Sequence, residues 1–318
     1  MGAPRPALAG LLALAALLAG PAAAAPAQQP TVRLAAPEDC LTNQGCGVGL
    51  AASYGLDVAP VFTPLAVADA GIAALDDGVA EVAVAFSTDP QVSRPDIVTL
   101  RDDRRMIGAD RLVPVLRRGM LRELGRRKAR RLTRRMNATG RLVTTLQLRA
   151  LNQQVADGRL PEAVGGEFVE ANGLTVRRRR PSGPRVTLGF QSFAENETVA
   201  HLFAASLRAV GVRVKVVDIG GLRPEAVAQI RSRRIDGWIG YARSLARFLE
   251  ADVGATGSVG RELRGTLRRK AGATALKLMP GENRNLFVTT TTTAQALGLA
   301  RISDLARYWP ATAPSSVG

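Results

Sequence analysis

The chain has 318 residues and a formal net charge of +16, from 43 Lys plus Arg against 27 Asp plus Glu. With only 2 Cys and 1 His, it lacks the thiolate and imidazole partners of a tetrahedral metal shell, so no metal and no cofactor are expected. Nearly all the cations are Arg, Lys standing only at Lys128, Lys215, Lys270 and Lys277, beside abundant Ala and Gly; that ratio reads as genomic composition bias.

Residues 1–27 read as a cleaved secretory signal peptide: one cation at Arg5, an apolar run from Ala7 to Leu18, then small residues at Ala22 to Ala27. The run is too short to span a bilayer. No Cys follows it, so no lipid anchor is expected, and no later segment approaches membrane length. The mature chain is therefore expected to be exported, periplasmic or extracellular, and monomeric. Its roughly 290 residues exceed a typical domain of about 100–200 and suit two lobes sharing a cleft.

Apolar patterning then predicts a strand at Val32 to Ala36, a helix around Val48 to Tyr54, a strand at Val58 to Pro64, a helix from about Asp69 to Asp77 and a strand at Glu81 to Phe86. Between the first two, Cys40 and Cys46 flank turn-forming Asn43, Gln44 and Gly45. In an oxidising compartment they are expected to form a local disulfide, the alternative being a metal site that two thiolates cannot complete. A basic helix is predicted at Met120 to Met136 and a helical run at Thr144 to Ala156. Asn172-Gly173 and the charged, Pro- and Gly-rich run at 175–184 read as a solvated linker. From Val186 to Tyr241 the pattern is βαβαβ: strand Val186 to Phe190, helix Val199 to Val210, strand Val212 to Ile219, helix Leu222 to Arg231 and strand Ile235 to Tyr241. Such a sheet is parallel, and ligands sit outside the carboxyl ends of its strands, near Gln191-Ser192-Phe193 and Trp238 to Tyr241. The five-Thr run from Thr289 to Thr293 is β-prone and is expected to be a strand passing between lobes. Residues 311–318 read as a tail.

Several segments resemble the glycine betaine/choline (osmoprotectant) substrate-binding proteins of ABC importers. Gly189-Phe-Gln-Ser-Phe193-Ala-Glu195, then Arg234-Ile-Asp-Gly-Trp-Ile-Gly-Tyr241, is similar to that family's Gly-Ser-Lys-x-Phe-Thr-Glu turn and its Ile-Asp to Glu-Tyr-Thr-Gly segment. Pro280 to Val288 and Thr293 to Ala306, with its Ser-Asp-Leu-Ala ending, resemble the family's crossing segment. Cys40 to Leu56, Ala85 to Pro90, Leu100 to Asp103, Leu112 to Val115 and Leu151 to Val155 resemble the family's second half, yet they come first here. The resemblance implies an α/β, two-lobed periplasmic-binding-protein fold of type II, the Venus-flytrap kind, with its halves circularly permuted. One lobe would take residues 31–105, completed by about 287–310, and the other 109–285, with the permutation joint at 175–184. Chain ends lie at domain surfaces, where rejoining them is tolerated.

A quaternary ammonium offers no hydrogen-bond donor, so it is held by aromatic faces and desolvation. Trp238, Tyr241 and Phe193 from one lobe, with Phe86 and Phe62 from the other, are the candidate cage, each equally open to core packing. Thr88, Asp89 and Asn283 are candidate polar contacts, although Thr-Asp-Pro is also turn chemistry. Where the family has Glu-Tyr-Thr-Gly this chain has Gly240-Tyr241-Ala242-Arg243, and Asn285 stands where a Tyr is expected. Arg243 and Arg284 would repel a bare cation and accept a carboxylate, which favours a zwitterion such as a betaine over choline.

The chain is therefore expected to be the extracytoplasmic solute-binding component of an osmoprotectant importer, working with ABC permease membrane subunits. The alternative is a basic exported protein that binds nucleic acid or envelope polyanions on the same scaffold, through Arg clusters at 117–118, 126–135, 177–180 and 231–234. Those clusters read rather as solvated helix faces and a linker, and no aromatic interleaves them between Phe86 and Phe168, so no specific nucleic-acid binding is expected. An enzyme is not expected: His201 lies among apolar neighbours without an orienting acid or a nucleophile, and no phosphate-loop or dinucleotide fingerprint is present.

Overall fold

The computed structural model describes Gly2 and residues 31–67, 70–175, 185–251 and 258–312. The signal-peptide reading of 1–27, nearly all of the linker at 175–184 and most of the tail at 311–318 lie outside the described residues. From Thr31 onward the chain is one unit, built on two sheets.

The first sheet holds β1 (Leu34–Pro37), β2 (Phe62–Leu65), β3 (Val82–Phe86), β4 (Ile97–Thr99) and, from the far end of the chain, β11 (Asn285–Thr290). Its order is β2-β1-β3-β11-β4, with β11 antiparallel to both neighbours and the first three strands parallel. Leu34, Ala35, Ala36 and Val82 to Ala85 are all buried, as expected of strands covered on both faces. Helices α1 (Gly47–Tyr54) and α2 (Gly71–Asp76) contribute to that cover. Cys40 and Cys46 are joined at 2.03 Å ahead of α1. This body is lobe A.

Lobe B repeats the wiring. Its strands are β5 (Asp110–Arg117), β6 (Arg185–Phe190), β7 (Arg213–Asp218) and β8 (Gly237–Tyr241), with β9 (Ala273–Ala275) and β10 (Glu282–Asn283) along the outer edge of β5. Strands β7, β6 and β8 are parallel and β5 runs against β8, pairing Leu112 with Tyr241 and Val115 with Trp238. One face packs on α4 (Gly125–Gly140), α5 (Thr145–Ala156), α6 (Pro161–Ala171) and α7 (Ala194–Ala209), around Phe203, Leu202 and Met136. The other packs on α8 (Arg223–Arg231), α9 (Ala242–Phe248) and α10 (Val259–Ala271), around Trp238, Leu263 and Leu267.

The chain passes between lobes twice, after β4 and between β10 and β11. In the first passage the Asp102 carboxylate accepts hydrogen bonds from Tyr54 Oη (2.6 Å), Met106 N (3.0 Å) and Ile107 N (2.7 Å). Two α/β lobes of this strand order joined by two passages make the type II, Venus-flytrap architecture.

Three local expectations change. The basic helix is two, α3 (Arg118–Glu123) and α4, because Gly125 takes φ of 72° at the break, a conformation that suits glycine. The predicted strand from Val58 starts with a short 3-10 turn at Ala59–Val61, and only Phe62–Leu65 is extended. The five-Thr run does not pass between lobes. Thr289 and Thr290 end β11 inside the lobe A sheet, and the Thr290 side chain accepts from Thr293 N (3.1 Å) to cap helix α11 (Thr291–Leu297). A capping hydroxyl at the right position overrides β propensity.

Candidate ligand-binding cleft

The end of β3 in lobe A and the ends of the neighbouring strands β6 and β8 in lobe B contribute to one cleft of about 390 Å³. Phe86 closes β3, Phe193 follows β6 and Tyr241 closes β8. The rings form a row: Phe86 to Phe193 is 6.3 Å between centroids at 34°, and Phe193 to Tyr241 is 6.2 Å at 26°. These spacings lie within the favourable range for aromatic pairs. One ring comes from lobe A and two from lobe B, so the row bridges the lobes.

Beneath it lies a buried carboxylate. Glu195, in the first turn of α7 and 5% exposed, accepts from Tyr241 Oη, from Asn152 Nδ2 at 2.9 Å and from Asn283 Nδ2 at 3.3 Å. Three donors make burial of the charge tolerable. Burial, and then the charge of Glu195, push the Tyr241 phenol well above its ordinary value, so it stays a neutral donor. Further bonds cross between lobes at the same place. Asn152 Nδ2 and Arg149 Nε, both on α5, donate to Thr88 O (2.9 Å) and Ser87 O (3.0 Å), and Ser87 Oγ donates to Asn283 Oδ1 (3.1 Å). At the opposite wall Arg223 pairs with Asp39 across the cleft.

The cleft wall also carries Arg243 and Arg247, one helical turn apart on α9. The Asp110 carboxylate accepts from the backbone N–H groups of Arg243 (2.6 Å) and Ser244 (2.7 Å) and so fixes the start of α9. Burial, and then the charge of Arg243, lower the Arg247 guanidinium from its ordinary value. Neither guanidinium has an ion-pair partner among the described residues.

Of the residues expected to meet a ligand, Phe86, Phe193, Tyr241 and Asn283 line the cleft. Trp238 does not: it is 2% exposed in the lobe B core with Leu245, Leu263 and Leu267. Successive strand residues point to opposite faces, and Trp238 and Tyr241 are three apart on β8, so they cannot share a side. Phe62 packs against the lobe A core. Thr88 is 1% exposed and takes part through its backbone carbonyl, and Asp89 caps a 3-10 turn by accepting from Gln91 N (2.8 Å). Asn283 contributes from β10 but is committed to Glu195 and Ser87. The expectation missed Glu195, Asn152, Arg149, Ser87 and Arg247. The hydrogen-bond partners of the first four are 43 to 197 residues away, and only the position of Glu195, Asn152 and Ser87 inside the family-like segments marked any of the five.

No residue set here forms a nucleophile and base, and among the described residues no cluster of His, Cys, Asp or Glu is arranged for a metal. The class of the chain follows from its family, which is one of substrate-binding rather than catalytic domains. The chain belongs to the family described as the substrate binding domain of ABC-type glycine betaine transport system, which it matches at residues 17–171 and 184–316. No curated protein sequence matches it. Among solved structures it is similar to the dipeptide binding protein from Pseudoalteromonas sp. SM9913 in complex with Met-Leu, with 11% identity, coverage of 72% of this chain and 54% of that one, and a TM-score of 0.37. It is also similar to DppA from Helicobacter pylori in complex with the peptide STSA (10%, 78% and 55%, 0.38) and to NikA from Brucella suis in complex with Fe(III)-EDTA (14%, 72% and 57%, 0.35). The chain spans a little over half the length of these proteins. Among the described residues no helix is long and apolar enough to cross a membrane.

Proposed function

We propose that the protein is the exported solute-binding component of an ABC importer, released from its signal peptide, and that its cleft holds a zwitterionic quaternary amine of the glycine betaine kind for delivery to a permease. The observation that carries this reading is the row Phe86, Phe193 and Tyr241 standing in one cleft with Arg243 and Arg247. Aromatic faces attract a methylated ammonium that water solvates poorly, and unpaired guanidinium groups suit a carboxylate. Of the four acids along the cleft, Asp39 is paired with Arg223, Asp110 and Glu225 cap backbone N–H groups, and Glu38 is exposed, so the guanidinium groups of Arg243 and Arg247 outweigh the one remaining carboxylate and disfavour a bare cation such as choline. Because the aromatic row has members in both lobes, a ligand lying on it favours the closed arrangement by its differential contacts.

Titration calorimetry with glycine betaine, proline betaine and choline tests the reading. The expected result is saturable binding of the betaines at moderate salt, with choline at least about tenfold weaker, a difference of about 1.4 kcal/mol. Betaines that release no heat, or choline binding as tightly, would refute it.

We further propose that the order of the two lobes along the chain is a circular permutation. Each lobe has the same strand order, so exchanging them preserves every strand pairing. The ends to be joined are already neighbours: Trp309 Nε1 donates to Val32 O at 2.8 Å. A rearranged chain, 185–312 followed by a short linker and 31–175, is expected to fold and bind as the natural one does. A rearranged chain that is insoluble or lacks the cooperative unfolding transition would count against this proposal.

A further inference from the structure

Of the arginine clusters that look separate in sequence, those at 117–118, 126–135 and 231–234 begin at one place. Strand β5 runs from Asp110 in the cleft to Arg117, and β8 runs the opposite way, from Gly237 to Tyr241 in the cleft. The Arg117 end of the lobe B sheet is thus the pole away from the cleft. There Arg117 N donates to Asp236 O (2.8 Å), the Arg117 guanidinium pairs with Asp236 (2.7 Å) and Arg118 N donates to Gly272 O (2.9 Å). Three segments converge through these bonds: the start of α3–α4, the turn after α8 with Arg231, Arg233 and Arg234, and the end of α10 with Arg268, Arg269 and Lys270.

The first of them carries ten cations and one acid between Arg117 and Arg135, and that acid, Glu123, is taken by Arg117 (3.1 Å). Arg118, Arg122, Arg126 and Arg130 follow a four-residue spacing and rim a shallow recess of about 450 Å³ floored by Leu121 and Ala129. All four are exposed and none has an ion-pair partner among the described residues. Like charges gathered without partners oppose folding of the region, so the arrangement suits a surface that meets an external polyanion.

We propose that this pole is a docking surface for an anionic lipid bilayer, which would hold the protein at the membrane with its cleft turned away from the lipid. The chemistry favours lipid over nucleic acid. A bilayer presents a plane of phosphates above apolar matter, matching guanidinium groups around an apolar floor, whereas unpaired bases need aromatic platforms and none occurs between Phe86 and Phe168. The inference is independent of which solute the cleft takes.

Co-sedimentation of the purified protein with phosphatidylcholine vesicles, with or without about a third phosphatidylglycerol, tests it at low and high salt. Two variants of equal charge change are compared, R126E/R130E at the pole and R101E/R301E on lobe A, each checked for an unchanged melting transition. The expected result is binding to the anionic vesicles only, lost at high salt, weakened at least tenfold in the pole variant and retained in the lobe A variant. Absence of binding to anionic vesicles at low salt, equal binding to neutral vesicles, or equal loss in both variants would overturn the proposal. So would tighter association with a DNA duplex than with the anionic vesicles, which would assign the pole to nucleic acid.

Discussion

Strands β3 and β8 are each the middle strand of their sheet's order, flanked by one parallel and one antiparallel strand, and each ends in an aromatic residue at the cleft, Phe86 in lobe A and Tyr241 in lobe B. The segments beyond the two strands differ. After Phe86 the chain makes a turn capped by Asp89, and Ser87 and Thr88 spend their carbonyls on Arg149 and Asn152 of the other lobe. After Tyr241 the chain enters α9 at once, with Arg243 and Arg247 on the cleft wall. The two lobes thus supply matching apolar faces, while the cationic groups of the wall come from lobe B and the passage at Arg284. Shared wiring places the two aromatic faces at one cleft, and in the proposed site it is the first residues beyond the strand ends that would select the solute.

Substitutions in each lobe test how far this equivalence reaches. Trp238→Ala, which empties a fully packed site in the lobe B core, should cost about 3–5 kcal/mol in urea unfolding while leaving solute affinity in the folded protein unchanged; a loss of affinity without a loss of stability would place Trp238 in the site after all. Glu195→Ala strands the donors of Tyr241, Asn152 and Asn283 in the interior, at about 2–3 kcal/mol of stability, and should weaken solute binding by freeing the Tyr241 ring. Phe86→Ala and Tyr241→Ala remove equivalent residues from opposite lobes and should each weaken binding by about 1–3 kcal/mol; calorimetry showing an effect from one lobe alone would end the equivalence.

The smallest effect is in pH. Burial lowers the His201 imidazole below its ordinary 6.5, and the Arg208 charge adds to this while Glu162 and Glu197 oppose it. The unfolded chain therefore takes up that proton first, and lobe B should lose stability as pH falls below about 6.5. In lobe A, burial opposes ionisation of Glu81, but hydrogen bonds and charge from Arg33 outweigh it and hold the carboxyl below 4.5. The stability it supplies is complete above 4.5 and lost only as pH falls through the lower folded value. Thermal melts from pH 7 to 4 should show the early loss in the natural protein and not in His201→Gln.

The βαβαβ run from Val186 to Tyr241 was legible because each strand is a short apolar run bounded by turn residues, and β6, α7, β7, α8 and β8 stand where those signals fall. Trp238 and Tyr241 show where composition misleads. Both are aromatic and near a strand end, yet parity along the strand puts one in the core and the other in the cleft. Glu195 stood inside a family-like segment, yet its role was not legible for a different reason: a buried charge is defined by its partners, and Tyr241, Asn152 and Asn283 are distant in sequence. The Thr run failed because one hydroxyl at a cap outweighs the propensity of its neighbours.

The Asp102 carboxylate has a mechanical consequence. By gripping Tyr54 and the amides of Met106 and Ile107, it makes the first passage rigid as far as Ile107 and part of lobe A. Arg284 is likewise tied to lobe A, its N–H donating to Ser87 Oγ at 3.1 Å. A swivel between the lobes, as the proposed closure requires, would then fall on two pins, the Gly108–Ala109 segment and the Asn283–Arg284 peptide. Arg243 rests beside the first of them, its Nε 3.7 Å from where a Cβ on Gly108 would stand, so whatever draws on that guanidinium in the cleft also bears on the pivot.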